Sequence, residues 1–219
     1  MPQDNRKDIS DKMLEFMMVS LISHKVNILI VGAGRAGLIK AKAFLNNGCR
    51  VFVLSKEFSP EFFQVENDDR LILIKDEYKK EIILDKHIVA IATDDYELNE
   101  KVKADCESLC KIYLNCRDFR EGMLTIPTQR KTENLHFALH TRKGSPKTSV
   151  FLAEKMKCKM EEYEAFVLFA SSLRQKLKGR EHFEEIMNFV NTDFFYQAYK
   201  KGNGIILLKM YYGGGEFEF

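Results

Sequence analysis

Three glycines spaced G-x-G-x-x-G, at positions 32, 34 and 37, are the residues whose type and spacing speak first of chemistry. An apolar run, Val26–Val31, leads into them, and from Arg35 a helical pattern begins with Leu38, Ala41, Phe44 and Leu45 on one face. In a strand–turn–helix context each glycine has its own task. Gly32 permits the tight turn, Gly34 lets the backbone approach a diphosphate, and Gly37 lets the helix pack on the strand. The free N–H groups and dipole of the helix N-terminus favour an anion there. The spacing therefore predicts a dinucleotide site over Gly32, Ala33, Gly34, Arg35, Ala36 and Gly37; the alternative is a tight turn that holds no ligand.

Two further groups of residues belong with that turn. A dinucleotide site wants an acidic group about 20 residues past its glycines, to bind ribose hydroxyls. Ser55-Lys56-Glu57 falls there. Glu57 suits NAD, whereas Lys56 with Ser55 suits the extra phosphate of NADP, and the sequence leaves both open. Thr93-Asp94-Asp95 follows a fourth apolar run and is expected to border the cofactor, or simply to cap a helix. Asn115-Cys116-Arg117-Asp118 follows a fifth run, and a carboxylate at that position, Asp118, is a candidate general base. From Arg117 to Lys147 there are seven basic residues against three acidic, in a chain whose total formal charge is +2. A local excess of that kind suits a polyanionic ligand.

Other candidates carry less. His136 and His140 on one strand would lie about 13 Å apart, too far to share an ion. Five cysteines form an odd set without C-x-x-C, which reads as reduced, packed thiols. Cys116 has no evident activating base, so no thiol nucleophile is expected. The small net charge gives no global case for nucleic acid. No segment reaches the roughly 18 apolar residues needed to span a bilayer, and none reads as a secretory signal, so a cytoplasmic location is expected.

The elements that must position these residues follow from the same text. Hydrophobic content of 45% over 219 residues suffices for a proper core. Residues 1–12 read as a charged leader, and Phe16–Leu21 as an extended piece feeding the first strand. Strands are expected at Val26–Val31, Arg50–Leu54, Leu71–Ile74, His87–Ala92 and Lys111–Asn115. Helices are expected from Arg35 to a stop at Asn46-Asn47-Gly48, and over Tyr96–Cys110 behind an Asp94/Glu97 capping box. Such alternation argues for a doubly wound parallel sheet of Rossmann type. Beyond it, Met123–Pro127 and Asn134–Thr141 read as strands. Ser145-Pro146 opens a helix to about Glu162, and Tyr163–Lys201 is helical until Gly202 and Gly204 interrupt it. A loose tail, 213–219, ends the chain. The expected α/β organisation is thus a Rossmann domain (1–115), a small βα dimerisation and substrate segment (116–162) and a helical C-terminal domain (163–219).

The ordered set Gly32–Gly37, Ala92-Thr93-Asp94-Asp95 with Asn99, Asn115-x-x-Asp118, Pro127 and Ser145-Pro146 resembles the precorrin-2 dehydrogenase and sirohydrochlorin ferrochelatase family of sirohaem synthesis. Phe58, Pro60 and Phe62 fit it as well, as does Phe189–Ala198, so the likeness runs from about residue 16 to 200. The resemblance implies a homodimer that oxidises precorrin-2 to sirohydrochlorin with NAD, some members also inserting ferrous iron, and a cobalt ion being an alternative metal substrate. It implies that Arg35, Ala36, Lys56 and Glu57 hold the dinucleotide, that Asp118 serves dehydrogenation and chelation, and that Ser145 lies near the tetrapyrrole. Asn115, Arg117, Arg142, Lys143 and Ser145 are then the candidate substrate contacts. Two departures fall in that region: Phe119-Arg120 where the family commonly has proline, and His140–Gly144 where it often has a run of small residues. Competing readings are a nucleotide-sensing module, like the gating domains of potassium transporters, and a family member without turnover. The sensing modules normally carry an acidic residue where Ser55 stands and lack a Ser-Pro helix.

Overall fold

Asn27–Val31 forms β1, the middle strand of a five-stranded parallel sheet. Its alternate side chains go to opposite faces and both faces are covered, which is why the run is apolar throughout. Ile28 and Ile30 join one core with Ala41, Phe44 and Leu45 of helix α1 (Arg35–Asn46). Leu29 and Val31 join the other with Val102 and Cys106 of helix α2 (Tyr96–Ser108). The remaining strands are β2 (Arg50–Ser55), β3 (Leu71–Lys75), β4 (Ile88–Ile91) and β5 (Ile112–Asn115). Their spatial order is β3-β2-β1-β4-β5. The order reverses between β1 and β4, the switch point where open α/β sheets bind ligands outside the strands' carboxyl ends.

The structure is a computed structural model describing residues 15–64, 67–142 and 144–213. The expected N-terminal leader and all but the first residue of the tail lie outside the described residues. Two compact units emerge, one of Met17–Ile126 and one running from Pro127 with Phe16 added. The first contains the parallel sheet. In the second, β6 (Thr128–Lys131) and β7 (His136–Leu139) make an antiparallel hairpin. Helix α3 (Pro146–Glu161) follows, then α4 (Glu164–Leu177), α5 (Phe183–Val190), α6 (Asp193–Lys200) and α7 (Gly204–Tyr212). Leu173, Leu177, Ile186, Val190, Phe195 and Leu208 form the core of this helical group.

Several expectations are corrected. Met123–Pro127 is not a strand: the N–H groups of Met123 and Leu124 both donate to the Tyr113 carbonyl (2.9 and 3.0 Å), which ties the segment to β5 as a connection. The strand starts after Pro127, which has no N–H to give a ladder. Asp95, not Asp94, caps α2, its carboxylate accepting from Leu98 N at 3.1 Å. Thr93 Oγ1 accepts the Asp95 N–H at 3.0 Å; the helix starts at Tyr96 as expected, and with Asp95 as its cap Glu97 falls out of capping-box register. The expected helical run over Tyr163–Lys201 breaks near Gly179 and His182, both at positive φ. Gly204 begins a helix rather than ending one. Residues 17–22 carry no regular structure, and a short 3-10 turn (Ser23–Lys25) precedes β1.

Candidate functional site

At the carboxyl ends of β1, β2 and β4 the three glycines separate into three physical roles. Gly32 sits at φ +107°, donates its N–H to the Leu54 carbonyl (2.9 Å), and a Cβ on it would lie 2.5 Å from the Ala92 carbonyl oxygen. Gly37 faces backward: a Cβ there would fall 2.1 Å from the Gly32 carbonyl oxygen, so α1 could not approach β1. Gly34 is different, because a Cβ on it would meet nothing within 4 Å. Its glycine character therefore answers to no protein neighbour.

Gly34 is also the N-cap of α1, and no side chain caps that helix. The first-turn N–H groups of a helix lack intrahelical acceptors, so those of Arg35, Ala36 and Gly37 are available to a ligand. The first turn holds no acidic residue to offset the positive end of the dipole. An uncapped helix start beside open space fits a diphosphate.

Next to the turn lies a cleft of about 350 Å³. Val31, Gly32, Leu54 and Thr93 line it, with Ser55, Lys56 and Glu57 from the end of β2. Leu54, Tyr78 and Leu98 supply apolar surface, and the loop after β3 adds Asp76 and Glu77. Lys56 Nζ is 3.0 Å from Glu77 Oε1, and that contact holds the ammonium charged to higher pH than usual. Burial, then the neighbouring Asp105 carboxylate that accepts from its hydroxyl at 3.1 Å, push the Tyr78 phenol up. Thr93 lines the cleft, its carbonyl accepting from Asn99 Nδ2 at 2.9 Å. Of the Asp94-Asp95 pair, Asp95 lines it, while Asp94 is exposed and outside the lining.

Asp118 stands three residues past β5, at the same edge of the sheet. Its carboxylate accepts from the Arg120 backbone N–H (3.0 Å) and side chain, Nε to Oδ1 at 3.0 Å and Nη2 to Oδ2 at 2.8 Å. The Arg120 guanidinium holds it below the ordinary carboxylate range. Asn115 is buried; its Oδ1 accepts from Arg117 N (2.9 Å) and its Nδ2 donates to Glu121 (2.9 Å), so it shapes the loop that carries Asp118. Burial raises the Cys116 thiol, which keeps it protonated near neutrality.

Arg142 and Ser145 belong to the second unit, and Lys143 lies outside the described residues. Ser145 occupies the N-cap position of α3 without capping it; its hydroxyl is 2.7 Å from that of Thr148. Asp76, Glu77, Tyr78 and Leu98 escaped the sequence reading. Asp76-Glu77-Tyr78 follows the third apolar run much as Ser55-Lys56-Glu57 follows the second. Only the strand order, with β3 beside β2, shows that the two loops share a cleft.

The sheet order, the glycine turn and the cleft at the switch point define a dinucleotide-binding domain of Rossmann type. Residues 19–128, half of the sequence, match the profile of an NAD(P)-binding family, and the chain belongs to that family. It is similar to the siroheme synthase of Edwardsiella ictaluri (strain 93-146), with 28% identity over 153 residues, covering 69% of this chain and 33% of that protein. The siroheme synthase of Psychrobacter sp. (strain PRwf-1) is 39% identical over 82 residues, 37% of this chain and 17% of that protein. The chain thus spans about a third or less of the length of these curated relatives. Among solved structures it shares its fold with SirC, precorrin-2 dehydrogenase, at a TM-score of 0.66 and 21% identity, covering 89% of this chain and 100% of that one.

Proposed function

We propose that this chain is an NAD-dependent precorrin-2 dehydrogenase, oxidising precorrin-2 to sirohydrochlorin. The observation that carries the reading is the bare start of α1: an uncapped helix, an outward-facing Gly34, and Asp118 on the same sheet edge. The similarity to siroheme synthases and the fold shared with SirC support the substrate class.

NAD, when bound, would supply its nicotinamide ring as the hydride acceptor. The first-turn N–H groups of Arg35, Ala36 and Gly37 hold its diphosphate, and Ser55, Lys56, Glu57 and Thr93 border the ribose. Each oxidation removes a hydride and a proton from the tetrapyrrole, and Asp118 takes up the proton. Arg117 answers a carboxylate of the substrate, Asn115 holding the loop; Lys143 and, in the second unit, Arg142 and Ser145 are the further candidate contacts for its carboxylates. Insertion of ferrous or cobalt ion into sirohydrochlorin is the second activity this reading allows, with the metal as substrate. The chain works as a homodimer in the cytoplasm; Val150, Phe151, Leu152 and Met156 of α3 are exposed apolar residues suited to a second copy.

Anaerobic incubation with precorrin-2 and NAD, followed by sirohydrochlorin absorbance, tests the reading. Turnover is expected, and Asp118→Asn should lower kcat by about 10²-fold or more, the usual contribution of a positioned acid–base group. No turnover by the unaltered chain with either NAD or NADP would overturn it. Intact turnover in Asp118→Asn would remove that residue from the site.

A further inference from the structure

At the end of β2 the chain presents Ser55 and Lys56, a hydroxyl and an ammonium. In a dinucleotide fold this is where the adenosine ribose lies, and those two groups would suit a 2′-phosphate. The loop after β3 changes what they can do. Glu77 takes Lys56 Nζ at 3.0 Å, and the field of Asp95 acts on the same ammonium. Glu57 and Asp76 also line the cleft, Asp76 sharing its charge with Lys79 at 3.0 Å. The cleft lining thus holds one lysine and four carboxylates, one of which is paired with Lys79. A ribose diol donates hydrogen bonds, and carboxylates accept them. A 2′-phosphate of nearly two negative charges brings no donor and meets a lysine already engaged.

We propose that Glu77, acting through Lys56, makes this cleft select NAD over NADP. The inference rests on the dinucleotide reading of the cleft and adds to it the residue that decides between the two cofactors. Glu77 is a specificity residue, since it withholds Lys56 from the phosphate. The Lys56 and Glu77 side chains are 73% and 71% exposed, so the ion pair is weak in itself. The effect is competition between Glu77 and the phosphate for one ammonium, screened over about 10 Å at 0.1 M salt.

Calorimetric titration of the full chain with NAD and with NADP, at low salt and without tetrapyrrole, reads the proposal directly. The unaltered chain should bind NAD about tenfold or more tighter than NADP, and added salt should narrow that gap. Glu77→Gln should tighten NADP binding about five- to tenfold while leaving NAD within about twofold. In a Lys56→Ala background the same substitution should give no gain, because the released ammonium is gone. Unchanged discrimination in Glu77→Gln, or a gain that survives Lys56→Ala, would overturn the role given to Glu77. Failure of either nucleotide to bind would overturn the dinucleotide reading, and this inference with it. Thermal melting of each variant separates loss of fold from loss of binding.

Discussion

At the scale of single residues, the three glycines look alike in sequence and differ in what a methyl group would strike. Gly37→Ala places a carbon 2.1 Å from the Gly32 carbonyl oxygen, a backbone atom that can yield only if α1 moves. It should cost about 1–3 kcal/mol, as overpacking does, and a denaturant melt reads this. Gly34→Ala meets no protein atom. Its stability should change by less than about 1 kcal/mol, while NAD binding in calorimetry should weaken about tenfold, since the methyl occupies the diphosphate's approach. Equal loss of stability in both variants would remove the distinction. Asp118 carries a second prediction. Its bidentate contact with Arg120 depresses its pKa, so the contact favours the folded state above the unfolded pKa and is lost as pH falls through the lower folded one. Arg120→Gln should therefore raise the Asp118 pKa toward the ordinary carboxylate value, visible in a carboxyl-carbon NMR titration. The acid limb of kcat/KM should move up with it. An unshifted titration would mean that Arg120 does not govern Asp118. The sequence shows the two residues side by side where the family commonly has proline, but the guanidinium's fold back onto the carboxylate is a matter of geometry.

Between residue and fold stand the helix ends, which decide what each element offers. α1 begins bare and α2 begins capped, although both follow strands that end at the same edge. The difference is local: Gly34 has no side chain to turn back, whereas Asp95 closes on Leu98 N at 3.1 Å. Asp95→Ala should destabilise the domain by about 1 kcal/mol, the usual cost of losing a cap. Asp94→Ala, one residue earlier and exposed, should stay within about 0.5 kcal/mol. Chemical denaturation of the pair discriminates the two, and the reverse order would restore the capping box that the sequence suggests. In the second unit, Glu164 at the start of α4 accepts from Asn134 N (3.0 Å) and Asn134 Nδ2 (2.7 Å), and from the Thr132 hydroxyl. One carboxylate thereby ties the β6–β7 turn to the helical group. No periodicity announces this contact, because its partners are about 30 residues apart in the chain.

For the whole molecule, the prediction concerns association. Phe151 is 60% exposed on α3, among other apolar residues left uncovered in the described chain. Sedimentation should find a dimer at micromolar concentration, and Phe151→Glu should shift it toward monomer. A monomer before substitution would sink the homodimer. The five parallel strands were legible in the sequence because the sheet is covered on both faces, and burial on both faces writes an uninterrupted apolar run in the central strands, such as Ile28–Val31 or Ile88–Ile91. The glycine spacing was legible because backbone conformation and close approach demand glycine itself. The place where β6 begins was not, since Met123 and Leu124 look apolar whether they ladder or merely hang from the Tyr113 carbonyl. By itself, then, the sequence determined the five parallel strands and the glycine turn, set by interactions within a few residues or by exclusion of water, and it named Asp118 as the candidate base. Only the tertiary structure decided that Asp76 and Glu77 share a cleft with Lys56 and that Asp95 replaces Asp94. Those outcomes depend on strand order and on which N–H a side chain reaches, and neither leaves a mark on the composition of the segment it governs.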